Sequence, residues 1–163
     1  MRFGNFLGVE ALMKHRVKRG YAKTKNKDLP KSIIKSLPLN VSSLALAFQL
    51  TQKVSRIGFD WPTIEGVMEK WEEEIIEFKQ ALSLQNRKKM GEEIGDLLFV
   101  LVNLARMLRI DPEAALRKTI KKFIKRFHYI EKSLYKKGRS LRQSNLIEME
   151  KFWEEAKANE RGR

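Results

Sequence analysis

Hydrophobic residues recur at intervals of three and four through most of the chain, which is the period of one face of an α-helix. The pattern predicts helices over residues 41–57, 62–82 and 89–108. A fourth helix is predicted from residue 111 to about residue 134, and a short last helix begins at Asn145. No segment alternates apolar and polar residues for long, so no β-sheet is expected.

Residues at the predicted helix starts have the chemistry of helix caps. Pro62 suits the first position of its helix, because its fixed φ fits and the missing N–H is not needed there. Asp111 followed by Pro112 is an N-cap followed by a first-position proline. Asn145 and Glu148 have the spacing of a capping box.

The apolar stripes predict how the helices pack. The second stripe consists of Ile64, Val67, Trp71, Ile75, Phe78 and Leu82, and the third of Ile94, Leu97, Leu101, Leu104 and Leu108. Helices with such stripes and short connections predict an all-α antiparallel bundle. Phe99 and Val102 lie off the third stripe, which predicts a second buried side and completion of the bundle by dimerisation.

The composition limits the kinds of metal site that the chain can form and indicates its cellular location. The chain has 163 residues, no cysteine and two histidines, so thiolate metal sites are excluded and oxygen ligands for hard cations are favoured. It has no apolar run of membrane-spanning length and no signal-peptide pattern, so a cytoplasmic protein without a membrane partner is expected.

Charge is distributed unevenly along the chain. The formal net charge is +14 overall, +10 over residues 1–58, −5 over residues 59–113 and +9 over residues 114–163. We therefore divide the chain into a basic N-terminal arm, residues 1–39, and a helical domain, residues 40–163.

Two pairs of carboxylates stand out in the acidic middle region. Glu74 and Glu77 lie three residues apart on the second predicted helix, and Glu93 and Asp96 lie three apart on the third. Each pair borders an apolar stripe, so facing stripes would bring four carboxylates into one groove. Such a groove is stable only with cations between the anions, and oxygen ligands indicate Mg²⁺.

Ordinary helix surfaces also carry glutamates three residues apart, and one pair alone would mean little. Gly91 and Gly95 on the third helix strengthen the case for a site. Glycine destabilises a helix interior by about 1 kcal/mol relative to alanine. Close approach of a helix or ligand would explain that cost, although a frayed helix start would explain it too.

At these residues the sequence resembles the MazG family of nucleotide pyrophosphohydrolases. The family pattern of Glu-Glu-x-x-Glu followed by Glu-x-x-Asp occurs here as residues 73–77 and 93–96. The flanking segments at residues 58–61, 102–106 and 150–157 are similar as well. The likeness covers about residues 40–158 and is greatest to the catalytic C-terminal half of two-domain members, although only a short basic segment precedes it here.

The resemblance implies hydrolysis of nucleoside triphosphates to monophosphate and pyrophosphate with Mg²⁺, or Mn²⁺, in nucleotide-pool housekeeping. It implies that Glu74, Glu77, Glu93 and Asp96 bind the metal. Glu73 would orient water or act as a base, so Glu73 and Glu74 are the catalytic candidates. The implied partners are the nucleotide and further copies of the chain, as a homodimer or homotetramer.

Four residues are candidates for contacts with the nucleotide, and each has an ordinary alternative. Lys122 and Arg126 would bind phosphates, or they form part of a solvated basic face. Asn103 would contact metal-bound water or sugar, or it is a surface asparagine. Trp153 would stack on a base, or it packs in the core.

Two other functions stay open at this point. The basic arm would give salt-sensitive nucleic-acid binding without catalysis. Alternatively, the bundle would serve as a regulatory or oligomerisation module. The four carboxylates favour the enzyme.

Overall fold

The structure, a computed structural model, describes residues 32–38 and 40–161. Its α-helices in this part of the chain are α1 (Ser43–Ser55), α2 (Ile64–Ser83), α3 (Arg87–Met107), α4 (Pro112–Lys136) and α5 (Leu146–Arg161). Two short 3-10 helices span Ile33–Ser36 and Leu141–Gln143, and no strand occurs within these described ranges. The predicted all-α class is therefore confirmed. Most of the basic arm, residues 1–31 and 39, lies outside the described residues.

The helices belong to two compact units that divide between Met107 and Leu108. In the first unit, α2 and α3 pack against each other and α1 packs on α3. In the second unit, α4 packs against α5 around Ile130, Leu134 and Phe152. Of the helices described, none combines the length and apolarity that a membrane crossing requires.

The helix ends follow the predicted chemistry except at Pro62. The Asp111 carboxylate accepts hydrogen bonds from the first turn of α4, and Asn145 Oδ1 accepts one from the Glu148 N–H at 2.9 Å. α2 begins at Ile64, with Thr63 in the N-cap position, so the predicted start at Pro62 was wrong by two residues. Local sequence preferences set helix ends only to within a residue or two.

The predicted stripe of α3 was wrong in part. Ile94 and Leu101 are 48% and 43% exposed in this chain, whereas Val100 and Val102 are buried. Val102 therefore packs within its own chain, contrary to the expectation that it would face a partner. Apolar residues surround most of α3, so periodicity alone could not select the arc that α1 and α2 cover.

Loss of the α4 N-cap should destabilise the second unit. Asp111 Oδ1 accepts hydrogen bonds from the N–H groups of Glu113 at 2.9 Å and Ala114 at 3.1 Å. We expect Asp111→Ala to lower the free energy of unfolding by about 1 kcal/mol, measured by urea denaturation. Asp111→Asn is the matched control, because its amide oxygen can still cap the helix. Equal losses in the two variants would contradict a capping role.

Candidate metal centre

A tight turn brings the two carboxylate pairs face to face. Residues 84–86 join α2 to α3, and Gln85 has the left-handed φ of +51° that reverses the chain. Asn86 Oδ1 then accepts a hydrogen bond from the Lys89 N–H at 3.1 Å, which caps the start of α3. The two helices therefore run antiparallel from this turn, and the middle of α2 lies opposite the first half of α3.

Three of the predicted metal ligands converge. One carboxylate oxygen each from Glu74, Glu77 and Glu93 lies within 4.8 Å of the other two. Asp96 is not part of this trio, but it lines the same cavity of about 720 Å³. The structure thus brings all four predicted ligands to one cavity and places three of them at a spacing that suits a shared cation.

Two of these carboxylates are buried and incompletely satisfied. Glu74 is 2% exposed and Glu93 is 1% exposed. The Oε2 atom of each is buried and has no hydrogen-bond partner among the described protein atoms. A buried carboxylate oxygen without a partner is costly, because its charge has lost the solvation that water provides. A divalent cation held by oxygen ligands alone would satisfy both atoms, so the donor set fits Mg²⁺ or Mn²⁺.

Two lysines at the cavity were missed by the sequence analysis. Lys70 Nζ lies 2.8 Å from Glu74 Oε1, and Lys89 Nζ donates a hydrogen bond to Glu93 Oε1. Each lysine precedes its glutamate by four residues, so both helices carry the pattern Lys-x-x-x-Glu-x-x-Glu/Asp. That spacing places the pairs on one helix face and was a usable signal.

Burial and the neighbouring lysines change the pKa values of Glu74 and Glu93, and the pKa of Lys70 changes as well. Burial raises the pKa of Glu74, although the Lys70 ammonium opposes that change. The hydrogen bond from Lys89 lowers the pKa of Glu93 against the effect of its burial. Burial tends to lower the pKa of Lys70, but hydrogen bonds to Glu73 and Glu74 outweigh it and raise the pKa.

Glu73, a predicted catalytic residue, lies beside the cavity. Its side chain is 42% exposed, and its Oε1 accepts a hydrogen bond from Lys70 Nζ at 2.8 Å. Lys70 therefore links Glu73 to the buried Glu74. The arrangement puts a solvent-accessible carboxylate one residue away from the metal-ligand candidates.

Asn103 is buried in the first unit, contrary to the surface alternative. It is 3% exposed, and its amide nitrogen donates to the Phe99 carbonyl oxygen at 3.1 Å. Its Oδ1 accepts a longer hydrogen bond, 3.4 Å, from Arg106 Nη2. Arg106 also forms a bidentate ion pair with Asp60 in the loop before α2. These contacts give Asn103 a structural role within the helix.

The two glycines of α3 do not mark a close approach within this chain. A Cβ added at Gly91 or Gly95 would meet no atom within 4 Å. Crowding against another described segment was therefore the wrong explanation. Both positions face open space, Gly95 immediately before Asp96.

The remaining nucleotide-contact candidates lie in the second unit. Arg126 lies over the Trp153 ring at 5.4 Å, and its guanidinium donates to Glu160 Oε2 at 3.0 and 2.8 Å. Trp153 also packs against Phe123 and the core of this unit, as its packing alternative predicted. Lys122 is exposed, and its ammonium forms no ion pair with the acidic groups that the structure describes.

Comparison with known proteins agrees with this geometry. Residues 63–130 match the family model of the MazG nucleotide pyrophosphohydrolase domain. A Thermotoga maritima protein named nucleoside triphosphate pyrophosphohydrolase/pyrophosphatase MazG is 42% identical over 120 residues, covering 74% of this chain and 46% of that protein. The nucleoside triphosphate pyrophosphohydrolase of Escherichia coli K12 is 34% identical over 131 residues, covering 79% and 50%. The chain spans about half the length of these relatives.

Proposed function

Since this chain carries a domain of the MazG nucleotide pyrophosphohydrolase family, we propose that it hydrolyses nucleoside triphosphates to the nucleoside monophosphate and pyrophosphate. The two relatives named for this activity align over most of the chain. The matched segment contains all five carboxylates that line the cavity, Glu92 and the four predicted metal ligands. Nucleotide-pool housekeeping in the cytoplasm is part of this proposal.

The observation that carries the proposal is the pair of buried, unpartnered oxygens on facing helices. Glu74 Oε2 and Glu93 Oε2 have no donor among the residues that the structure describes, although the carboxylates lie in a cavity together with Glu77 and Asp96. A structural bundle would gain stability if apolar residues replaced such a group of charges. A metal-binding site instead needs carboxylates that are unprotonated, each with an oxygen that is not bound by other protein groups.

Mg²⁺ is the proposed cofactor, and Glu74, Glu77, Glu93 and Asp96 are its proposed ligands. When bound, Mg²⁺ supplies charge that polarises phosphoryl oxygens, activates water and neutralises the pyrophosphate leaving group. Negative protein groups alone would repel a triphosphate. The carboxylates would therefore bind the cation, and the cation would bind the phosphates of the substrate.

Residues of the chain itself would orient water and substrate. Glu73 is accessible to solvent and bound to Lys70, so it can accept a proton from an attacking water or orient that water. Lys89 is 49% exposed and reaches the cavity, so its ammonium can exchange a carboxylate partner for a phosphate oxygen. In the balanced reaction, water cleaves the anhydride bond between the α- and β-phosphoryl groups, its oxygen stays on the attacked phosphorus, and its proton passes to Glu73 or to solvent.

The second unit supplies proposed nucleotide contacts. Arg126 and Lys122 are candidates for the phosphates, and the half-buried Trp153 is a candidate for stacking on the base. Arg126 is engaged by Glu160, so a phosphate would have to replace that carboxylate. Asn103 is a proposed contact for metal-bound water or the sugar, and its amide would have to exchange its bonds to the Phe99 carbonyl and Arg106 to make that contact.

Homodimerisation or homotetramerisation is proposed from exposed apolar residues on α3. Ile94, Leu98 and Leu101 are 48%, 53% and 43% exposed in the single chain. They recur at helical spacing and form one continuous face. A contiguous apolar face of this kind is typical of an interface between protein chains.

The test is pyrophosphate release from a panel of ribonucleoside and deoxyribonucleoside triphosphates. We expect Mg²⁺-dependent release of pyrophosphate with a monophosphate product, loss of release with a chelator, and recovery when Mg²⁺ is returned in excess. Nucleoside diphosphates are the matched control, because their hydrolysis cannot yield pyrophosphate. Absence of release from every triphosphate, or release that chelation does not affect, would refute the proposal.

A further inference from the structure

Lys70 is a partly buried cation held between two carboxylates. Its side chain is 11% exposed, and its Nζ lies 2.8 Å from Glu73 Oε1 and 2.8 Å from Glu74 Oε1. The ammonium thus occupies one oxygen of Glu74. The other oxygen, Oε2, is buried and has no hydrogen-bond partner among the described protein atoms.

This contact restricts how Glu74 can bind a cation. A cation that used both oxygens of Glu74 would come closer to the Lys70 ammonium than a cation on Oε2 alone. Like charges repel strongly where water is excluded. The ammonium therefore favours one-oxygen binding by Glu74.

The number of oxygens per carboxylate separates two common divalent cations. Mg²⁺ demands a compact, near-ideal octahedral shell and keeps several of its waters. Ca²⁺ takes six to eight oxygens and often binds a carboxylate through both of them. If only one oxygen of Glu74 can bind the cation, the affinity for Ca²⁺ is reduced more than the affinity for Mg²⁺.

We propose that Lys70 is a specificity-determining residue that limits Glu74 to one-oxygen binding and so favours Mg²⁺ over Ca²⁺. This inference rests on the proposed function, because it takes the carboxylates of the cavity as the metal centre. Lys89 touches Glu93 in a similar way, but it is 49% exposed and free to move toward other partners. The Lys70 side chain, by contrast, is only 11% exposed and forms ion pairs with both Glu73 and Glu74.

The experiment measures Mg²⁺ and Ca²⁺ binding to the full chain by titration calorimetry without nucleotide. Both ions are divalent, so the general effect of one lost positive charge near the cavity is the same for both and cancels in their ratio, whereas access to the second oxygen of Glu74 affects the ratio. We expect Lys70→Met to raise Ca²⁺ affinity relative to Mg²⁺ about 10-fold, the lower end of the effects of groups that orient metal ligands. Lys79→Met, an exposed lysine on the same helix, is the control and should leave the ratio unchanged.

Lys70→Gln provides the same test if the methionine variant does not fold. Its neutral amide does not repel a cation that binds both oxygens of Glu74. Wild-type binding of Mg²⁺ with an unchanged ratio in the folded Lys70 variants would overturn the inference and leave the proposed function standing. Failure of the wild-type chain to bind Mg²⁺ would overturn both, because the metal centre itself would be absent.

Discussion

Glu74→Gln is expected to reduce Mg²⁺-dependent pyrophosphate release by more than about 100-fold, beyond the usual effect of groups outside the ligand shell. The substitution keeps the size of the side chain and the contact with Lys70 Nζ through an amide oxygen. It removes the charge of a 2% exposed carboxylate whose Oε2 has no hydrogen-bond partner among the described protein atoms. Glu93→Gln should act in the same way, because Glu93 Oε2 is also buried and has no hydrogen-bond partner within residues 32–38 and 40–161. Initial rates over a range of Mg²⁺ concentrations would measure the loss.

A stability measurement separates lost chemistry from lost folding. Burial of the Glu74 charge is unfavourable without metal, so Glu74→Gln should not lower the metal-free melting temperature. Glu72→Gln is the matched control, because Glu72 is exposed on the same helix and lies outside the cavity. It should retain wild-type rates. Retention of Mg²⁺-dependent turnover in folded Glu74→Gln would show that the metal centre is assigned to the wrong residues.

Asp60→Ala is expected to lower the free energy of unfolding by about 3 kcal/mol, at the low end of losses from broken buried ion pairs. Asp60 accepts a hydrogen bond of 2.9 Å from Arg106 Nη1 and a second one from Nη2. Arg106 is 11% exposed and its Nε has no partner in the described structure, so removal of Asp60 would leave a largely enclosed cation. Asp60 itself is 26% exposed. Arg106→Met should therefore lower the free energy of unfolding by less than Asp60→Ala does, since water can reach the remaining carboxylate.

Chemical denaturation of both single variants and the double variant would measure the coupling directly. The double variant should be less destabilised than the sum of the two single variants, because each single variant already breaks the pair. Lys157→Met is the control, since its ion pair with Glu154 is a surface pair and should contribute less than about 1 kcal/mol. Additive losses at residues 60 and 106 would show that the ion pair does not hold the loop to α3.

The carboxylates that line one cavity in the structure could be paired from the sequence, for a local reason. Spacings of three and four residues place side chains on one helix face whatever the rest of the chain does. Glu74 with Glu77, and Glu93 with Asp96, could therefore be paired before any packing was known. The same rule links Lys70 to Glu74 and Lys89 to Glu93, but the only cations predicted to be at the site were Lys122 and Arg126 of the fourth predicted helix.

Burial was the weaker part of the sequence-based prediction. Ile94 and Leu101 were expected to face the core of the bundle, yet they are exposed, while Asn103 is buried. An apolar pattern shows which side chains can be buried, but neighbouring helices decide which arc of α3 is covered. For the same reason, the contact between Asp60 and Arg106, 46 residues apart, could not be read from spacing.

The sequence by itself determined the helical class, the capped starts of α4 and α5, and the two helices that carry the carboxylates, because these depend on neighbours within one or two turns. Only the tertiary structure decided that Glu74 and Glu93 are buried, each with one oxygen that lacks a partner in the described part of the chain, and that Lys70 contacts the other oxygen of Glu74. Those facts depend on α2 lying against α3. Water exclusion and charge proximity are properties of that packing, and they turn four acidic side chains into a candidate metal centre.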